Sequence, residues 1–234
     1  MKGASSARAL AKWLCMGMGA AAASYCAYVT TTWCRYGRTS VPNSEDRDPL
    51  LDRFMPLYEV VERHHVRVAA PAAVTISAAR EMDLQASFIV RTIFRSRELI
   101  LGATPDGRVR PHGLLAEMQA LGWGVLADVP GREIVAGAVT RPWQANVTFR
   151  GLPPDQFLAF AEPDYVKIAW TLRADPIDAT ASILRTETRA IATDAGARRK
   201  FRWYWSFLSP GIRMIRRVSF GPAKREAEHR AASA

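Results

Sequence analysis

The sequence predicts an α+β domain in which helices precede an antiparallel sheet and one long helix ends the chain. Apolar and polar residues alternate through 165–174 and 182–193, which is typical of half-buried antiparallel strands. After Asp194 the apolar residues recur at helical spacing instead. An uncharged run at 13–34 stands apart from this domain and predicts one further helix.

The composition is typical of a folded globular protein, and its positive charge is concentrated at the two ends. Of the 234 residues, 49% are apolar and 23% are charged, with a net charge of +10. Residues 1–40 hold five Lys/Arg and no acid, and residues 194–234 hold ten basic and three acidic side chains. The chain shows no nucleic-acid-binding motif, so we predict no nucleic-acid partner. Cationic ends beside an apolar segment favour an anionic membrane surface instead.

The N-terminal segment 1–36 is predicted to be a single-pass transmembrane anchor with basic flanks. The uncharged run 13–34 is about as long as one helical bilayer crossing, and Lys12 and Arg35 bracket it. Its closely spaced small residues would permit weak self-association through the anchor. One alternative is a signal peptide cleaved at Ala21–Ala23, which would leave a secreted or periplasmic protein, and another is a soluble helix. The flanking charges do not decide the orientation in the membrane.

The remainder of the chain divides into a linker, one domain and a tail. Residues 37–56 are rich in Pro, Ser and acidic residues and predict a linker. The domain is expected at 57–225 and a polar tail at 226–234. All three cysteines lie in the N-terminal segment, so the folded part has no disulfide, zinc–thiolate site or cysteine nucleophile.

The domain is expected to open with a strand and to continue through helices into a series of strands. The segment "YEVVERHHVRV" is rich in β-branched residues and places His64 on the same face as Val66 and Val68. Helical spacing or helix-end signals follow at 70–82, 87–101 and 111–122. A hairpin is predicted at 123–139 with Pro130-Gly131 at its turn.

The last helix is predicted to be amphipathic. Its apolar stripe consists of Phe201, Trp205, Leu208, Ile212 and Ile215. Ser209-Pro210-Gly211 is expected to kink or restart the helix. The arginines fall largely off the stripe, which is typical either of a solvated face or of a face that contacts anionic lipid. The residues assigned to the membrane-surface alternative are Arg213, Arg216 and Arg217.

The two ends of the domain, "HHVRVAAPAAV" and "ARRKFRWYWSFLSPGIRMIRR", together with the order of elements between them, resemble the START-like helix-grip superfamily, also called SRPBCC. The resemblance covers residues 57 to about 225. It implies a curved antiparallel sheet wrapped around the long C-terminal helix. It also implies a gap between the two that holds lipids, sterols, polyketides or other apolar ligands. Some members of this superfamily are cyclases or hydrolases.

The candidate ligand-binding residues are those expected to face this gap. Trp170 lies on the apolar side of its strand and Trp205 on the helix stripe, although aromatic residues also fill cores. Further candidates for the cavity are His64, Thr186, Thr188 and Leu208. His64 and His65 point to opposite faces of a regular strand, so they cannot share a metal, and we predict no metal site and no cofactor.

No catalytic motif is present in the sequence. It contains no G-x-S-x-G, H-E-x-x-H, P-loop or dinucleotide-binding pattern. We therefore predict a membrane-anchored domain that binds an apolar small molecule or lipid without catalysis. One alternative is a cyclase- or hydrolase-type enzyme that uses His64 or an inward Arg or Glu as acid or base. The other is a tethered interaction module without a ligand.

Overall fold

An antiparallel sheet forms the centre of the structure, a computed structural model that describes residues 2–38, 44, 47–83, 87–103 and 111–233. The six described strands are β1 (Val60–Val68), β2 (Gly124–Val129), β3 (Glu133–Thr140), β4 (Phe149–Arg150), β5 (Val166–Pro176) and β6 (Ser182–Ala192). Their order is β1-β6-β5-β3-β2, and β4 pairs with the end of β3. The predicted hairpin is β2–β3, and Gly131 at its turn has a φ of +71°, which favours glycine.

Helices cover both faces of this sheet. They are α1 (Lys2–Arg35), α2 (Pro49–Phe54), α3 (Ala72–Glu81), α4 (Phe88–Leu101), α5 (Leu114–Ala120), α6 (Pro154–Ala159) and α7 (Ala195–Ala232). The long helix α7 crosses the inner face and contacts β1, β5 and β6. A curved antiparallel sheet with a long C-terminal helix on its inner face confirms the α+β helix-grip prediction.

The register of the strands decides which side chains face α7. His64 lies opposite Thr186, and Glu62 lies opposite Thr188. Thr188 in turn lies opposite Trp170 on β5. Because directly paired residues of antiparallel strands share one face, these side chains form two neighbouring rows under α7. The alternation read from the sequence of β5 and β6 therefore gave the correct inner face.

Helix α7 is longer than predicted at its C-terminal end. Residues 226–232, expected to be a polar tail, continue the helix because they pack against α3. Ala227 is fully buried there, and Arg230 pairs with Glu81 at 2.9 Å. Pro210 lies inside α7, and the helix continues through it.

The outer face of the sheet is covered by α2 and α6, not by solvent. Helix α2 lies in the segment predicted to be a linker, and it buries Leu51 completely. The sequence predicted a half-buried strand at 182–193, which would leave the charged residues of β6 in solvent. Arg189 is nevertheless 2% exposed, and its guanidinium bonds Asp52 at 2.6 Å and Glu187 at 2.7 Å. Burial is tolerated here because each buried charge has a partner.

The N-terminal segment is helical as predicted, but the transmembrane prediction is not supported. No helix among the described residues combines the length and the apolar character that a bilayer crossing requires. The physical reason lies in composition, because the Ala, Gly, Ser and Thr residues of α1 contribute little insertion energy.

The C-terminal part of α1 is docked on α7 by polar and aromatic contacts. The hydroxyl of Tyr25 donates to the carbonyl of Phe207 at 2.8 Å, and the hydroxyls of Tyr28 and Ser209 are 2.8 Å apart. Arg202 donates to the carbonyl of Trp33 at 2.8 Å and lies over its ring. This part of the predicted anchor is therefore packed against the domain.

One buried carboxyl on the outer face makes stability depend on pH. Glu133 is 6% exposed and accepts a hydrogen bond from Thr171 at 2.9 Å. Burial, with a further contribution from the neighbouring Asp48, raises the pKa of Glu133 to about 7. Between its ordinary pKa and this value the folded protein holds a proton that the unfolded chain has released. Stability should therefore fall as pH rises through this window.

We expect Glu133→Gln to remove this loss. The difference in the free energy of unfolding between the variant and the natural protein should grow from pH 5 to pH 7.5 by up to about 1.4 kcal/mol per pH unit. Urea unfolding at several pH values measures it. Glu162→Gln, which changes an exposed carboxyl, is the matched control. Parallel stability curves for Glu133→Gln and the natural protein would contradict the assignment.

Candidate functional site

A cavity of about 980 Å³ lies between the inner face of the sheet and α7. The sheet contributes Ile168, Trp170, Leu172, Leu184, Thr186 and Thr188, and α7 contributes Trp205, Leu208, Ile212, Ile215, Arg216 and Ser219. Residues of α4 and α5 complete the lining, among them Ile93, Ile100, Leu114 and Met118. The inward side chains at the middle of β6 are short, so they leave this space open under the helix.

Five of the six predicted cavity residues line this space. They are Trp170, Thr186, Thr188, Trp205 and Leu208. Trp170 and Trp205 are each 7% exposed and come from the two opposing walls, as the sequence predicted. Thr186 donates its hydroxyl proton to the carbonyl of Thr171 at 2.7 Å. That any of them touches a ligand stays a prediction.

His64, the sixth candidate, lies on the inner face but outside the cavity lining. Its Nε2 is buried without a hydrogen-bond partner among the described residues and lies 3.9 Å from Oε2 of Glu62. Burial lowers the pKa of His64 to about 4, and the positive charges of Arg216, Arg217 and Arg213 lower it further. The imidazole is therefore neutral at pH 7.

The three arginines assigned to a membrane surface have three different environments. Arg213 is ion-paired with Glu62, to which its Nε donates at 2.7 Å. Arg217 is exposed to solvent. Arg216 lines the cavity, where its Nη1 donates to the hydroxyl of Thr186 at 3.3 Å. The prediction of a common surface for the three arginines is therefore corrected.

Arg216 and Glu62 are the charged residues of the lining that the sequence interpretation missed. Helical spacing was the available signal for Arg216, because it follows Ile212 by four residues and Trp205 by eleven. Strand alternation was the signal for Glu62, two residues before His64. Burial lowers the pKa of Arg216 to about 10, while the charge of Glu62 acts in the opposite direction. Arg216 therefore stays cationic at pH 7.

Several residues of the lining have a polar atom that is buried and has no hydrogen-bond partner among the described residues. These atoms are Nε of Arg216, Oγ1 of Thr188, and Nε1 of Trp123 and Trp170. Buried polar groups in native structures are nearly always paired, so each of these atoms requires an explanation. All four groups are able to donate a hydrogen bond. Each of these four groups could therefore be satisfied by a hydrogen-bond acceptor.

No cluster of His, Cys, Asp and Glu among the described residues has the arrangement of a metal site. His112 lies on the surface near Asp83, with 3.8 Å between Nδ1 and Oδ2. His64 and His65 point to opposite faces of β1, as strand alternation predicts.

Comparison with known proteins finds weak similarities to solved structures. No family model matches the chain, and no curated protein matches it. A point mutant of norcoclaurine synthase from Thalictrum flavum, in complex with a transition-state analogue, matches 73% of this chain and 96% of its own, with 11% identity and a TM-score of 0.36. A hypothetical protein from Helicobacter pylori matches 82% and 99%, with 8% identity and a TM-score of 0.36.

An aromatase/cyclase from a Streptomyces species matches 71% of this chain and 94% of its own, with 14% identity and a TM-score of 0.23. These similarities are too low to transfer an activity. The observed element order, with the sheet wrapped around α7, is the architecture that the sequence resemblance predicts. The chain has an α+β helix-grip fold.

We expect the ring of His64 to stay neutral down to about pH 4 in the folded protein, because it is buried beside three arginines. In Arg216→Met the pKa should rise toward its ordinary value, since one positive charge is removed. NMR titration of the imidazole carbons measures both values, and the urea-unfolded chain supplies the reference. Titration of His64 near pH 6.5 in the folded protein would contradict this environment.

Proposed function

We propose that this chain binds a hydrophobic small molecule or lipid in the cavity between the sheet and α7. The observation that supports the proposal is an open space of about 980 Å³ with a mainly apolar lining. Small-molecule sites typically have volumes of about 300–1,000 Å³ and mostly apolar walls with a few polar groups. An apolar molecule that leaves water for this space gains about 25 cal/mol for each Å² it buries.

Binding without catalysis has more support than a cyclase or hydrolase reaction. A general acid or base must reach the bound molecule and change its protonation near the working pH. His64 lies outside the lining, and Arg216 stays cationic. Glu62 lines the cavity, but its Oε1 accepts both hydrogen bonds from Arg213. The open cavity also counts against an interaction module without a ligand.

The first test identifies what the purified full chain carries. Native mass spectrometry followed by organic extraction should detect a stoichiometric apolar molecule, because a cavity of this kind retains ligands during purification. The neutral fluorescent probe aminoanthracene should bind to protein from which this molecule has been removed. A protein that carries nothing and does not bind the probe would contradict the proposal.

The second test fills the cavity from both walls. In Thr188→Phe/Ser219→Trp, large side chains replace two small ones, and neither original hydroxyl forms a hydrogen bond with another element among the described residues. The affinity for aminoanthracene should fall about tenfold or more, because the apolar volume open to the probe is lost. The matched control, His65→Phe/Met214→Trp, adds similar rings at exposed positions and should bind as the natural protein does.

Circular dichroism and thermal unfolding show whether both variants are folded. Equal probe affinity in the two folded double variants would place the probe outside the cavity, and the proposed site would then be wrong.

A further inference from the structure

The guanidinium of Arg216 is the most unusual group in the cavity. It enters from α7 among apolar side chains, and its Nε is buried without a hydrogen-bond partner among the described residues. The contact from Nη1 to Thr186 is long at 3.3 Å. A charged group in apolar surroundings is costly unless it is paired, and the described residues do not supply an ion-pair partner for this arginine.

No carboxylate among the described residues forms an ion pair with Arg216. Glu62 is the acid whose charge acts on it, but Oε1 of Glu62 accepts from Nε of Arg213 at 2.7 Å. Arg189 on the outer face shows the contrasting case, since it is ion-paired with Asp52 and Glu187. Arg189, which has a structural role, is therefore ion-paired within the chain. Arg216 in the cavity has no ion-pair partner among the described residues.

Other unsatisfied groups of the cavity lining indicate which chemistry would suit a partner of Arg216. Thr188, Trp123 and Trp170 line the same cavity, and each has a buried polar atom that can donate and that has no hydrogen-bond partner among the described residues. A ligand that satisfies these groups must offer oxygen acceptors. A carboxylate suits Arg216 best, because it neutralises the buried charge and matches the planar guanidinium with two parallel hydrogen bonds.

We propose that the ligand is an apolar molecule with one carboxylate, and that this carboxylate binds the guanidinium of Arg216. The inference rests on the proposed function, because it assigns the polar end of the ligand within the same cavity. The apolar body then lies along the tryptophan and aliphatic walls.

The experiment compares acids with their neutral esters. Palmitic acid and methyl palmitate form one pair, and pyrenebutyric acid and its methyl ester form the second. Each competitor displaces aminoanthracene from the natural full chain, from Arg216→Met and from Arg217→Met. Arg217 is the matched control, because it is the next residue on the same helix but is exposed to solvent.

In the natural protein at least one acid should bind about tenfold or more tightly than its ester, as expected for a buried charged hydrogen bond. In Arg216→Met the ratio should fall to about one through weaker binding of the acid, whereas Arg217→Met should keep the full ratio. Ligand-free Arg216→Met should also unfold at a higher temperature than the natural protein, because an unpaired buried charge is removed.

Other outcomes overturn the inference in distinguishable ways. If aminoanthracene binds the natural protein but acid and ester displace it equally well in both pairs, the carboxylate assignment is contradicted. The proposed function stands in that case. A preference for the acid that persists in Arg216→Met shows that another residue binds the carboxylate. If aminoanthracene does not bind the natural protein, the proposed function fails and the inference fails with it.

Discussion

Helix α7 is held against the rest of the domain near both of its ends, and this constraint keeps a space open under its middle. At the N-terminal end, Asp194 caps the helix by accepting from the backbone N–H of Ala197 at 3.0 Å. Phe201 then packs in a buried cluster with residues of β1, β5 and β6. At the other end, Ala223 and Ala227 pack against α3.

Between these two attachments the sheet presents side chains that are too short to fill the gap. Thr186 and Thr188 lie at the middle of β6, under the part of α7 that carries Ile212 and Arg216. Interiors are otherwise close-packed, so a space of about 980 Å³ has to be maintained by the geometry around it. The attachment at each end prevents the helix from settling onto the sheet.

The buried charged residues differ between the two faces of the sheet. On the outer face, Arg189 pairs with Glu187 on its own strand and with Asp52 of the covering helix α2. These pairs join a short helix to the sheet, and they include no unpaired cation. On the inner face, Arg216 is left without an ion pair among the described residues. Arg189 therefore has a structural role on the outer face, whereas Arg216 on the inner face is the residue that we propose for ligand binding.

The sequence predicted those features that depend on local periodicity. Alternation in β5 and β6 identified the inner face, and helical spacing in α7 identified Trp205 as a residue of the cavity wall that the helix forms. It missed features that depend on contacts between distant segments. Helix α2 has only six residues, and it is stabilised by burying Leu51 and Phe54 against the sheet rather than by helix propensity.

The sequence interpretation missed the inward orientation of the Arg216 side chain for a related reason. Arginine on an amphipathic helix usually faces solvent, and only the position of α7 on the sheet shows that this arginine faces inward. The uncharged run in α1 resembled a bilayer crossing by length. Its tyrosine hydroxyls, however, bond the backbone and side chains of α7, and the sequence gives no sign of that partner.

The most direct test of this account is where a bound apolar probe lies. In protein with labelled Ile, Leu and Met methyl groups, intermolecular NOEs should connect aminoanthracene to Leu172 and Leu184 on the sheet and to Ile215 on α7. NOEs from both walls to one probe molecule would show that the space between sheet and helix is open and occupied. NOEs confined to exposed residues such as Met16 and Met18 would contradict the account.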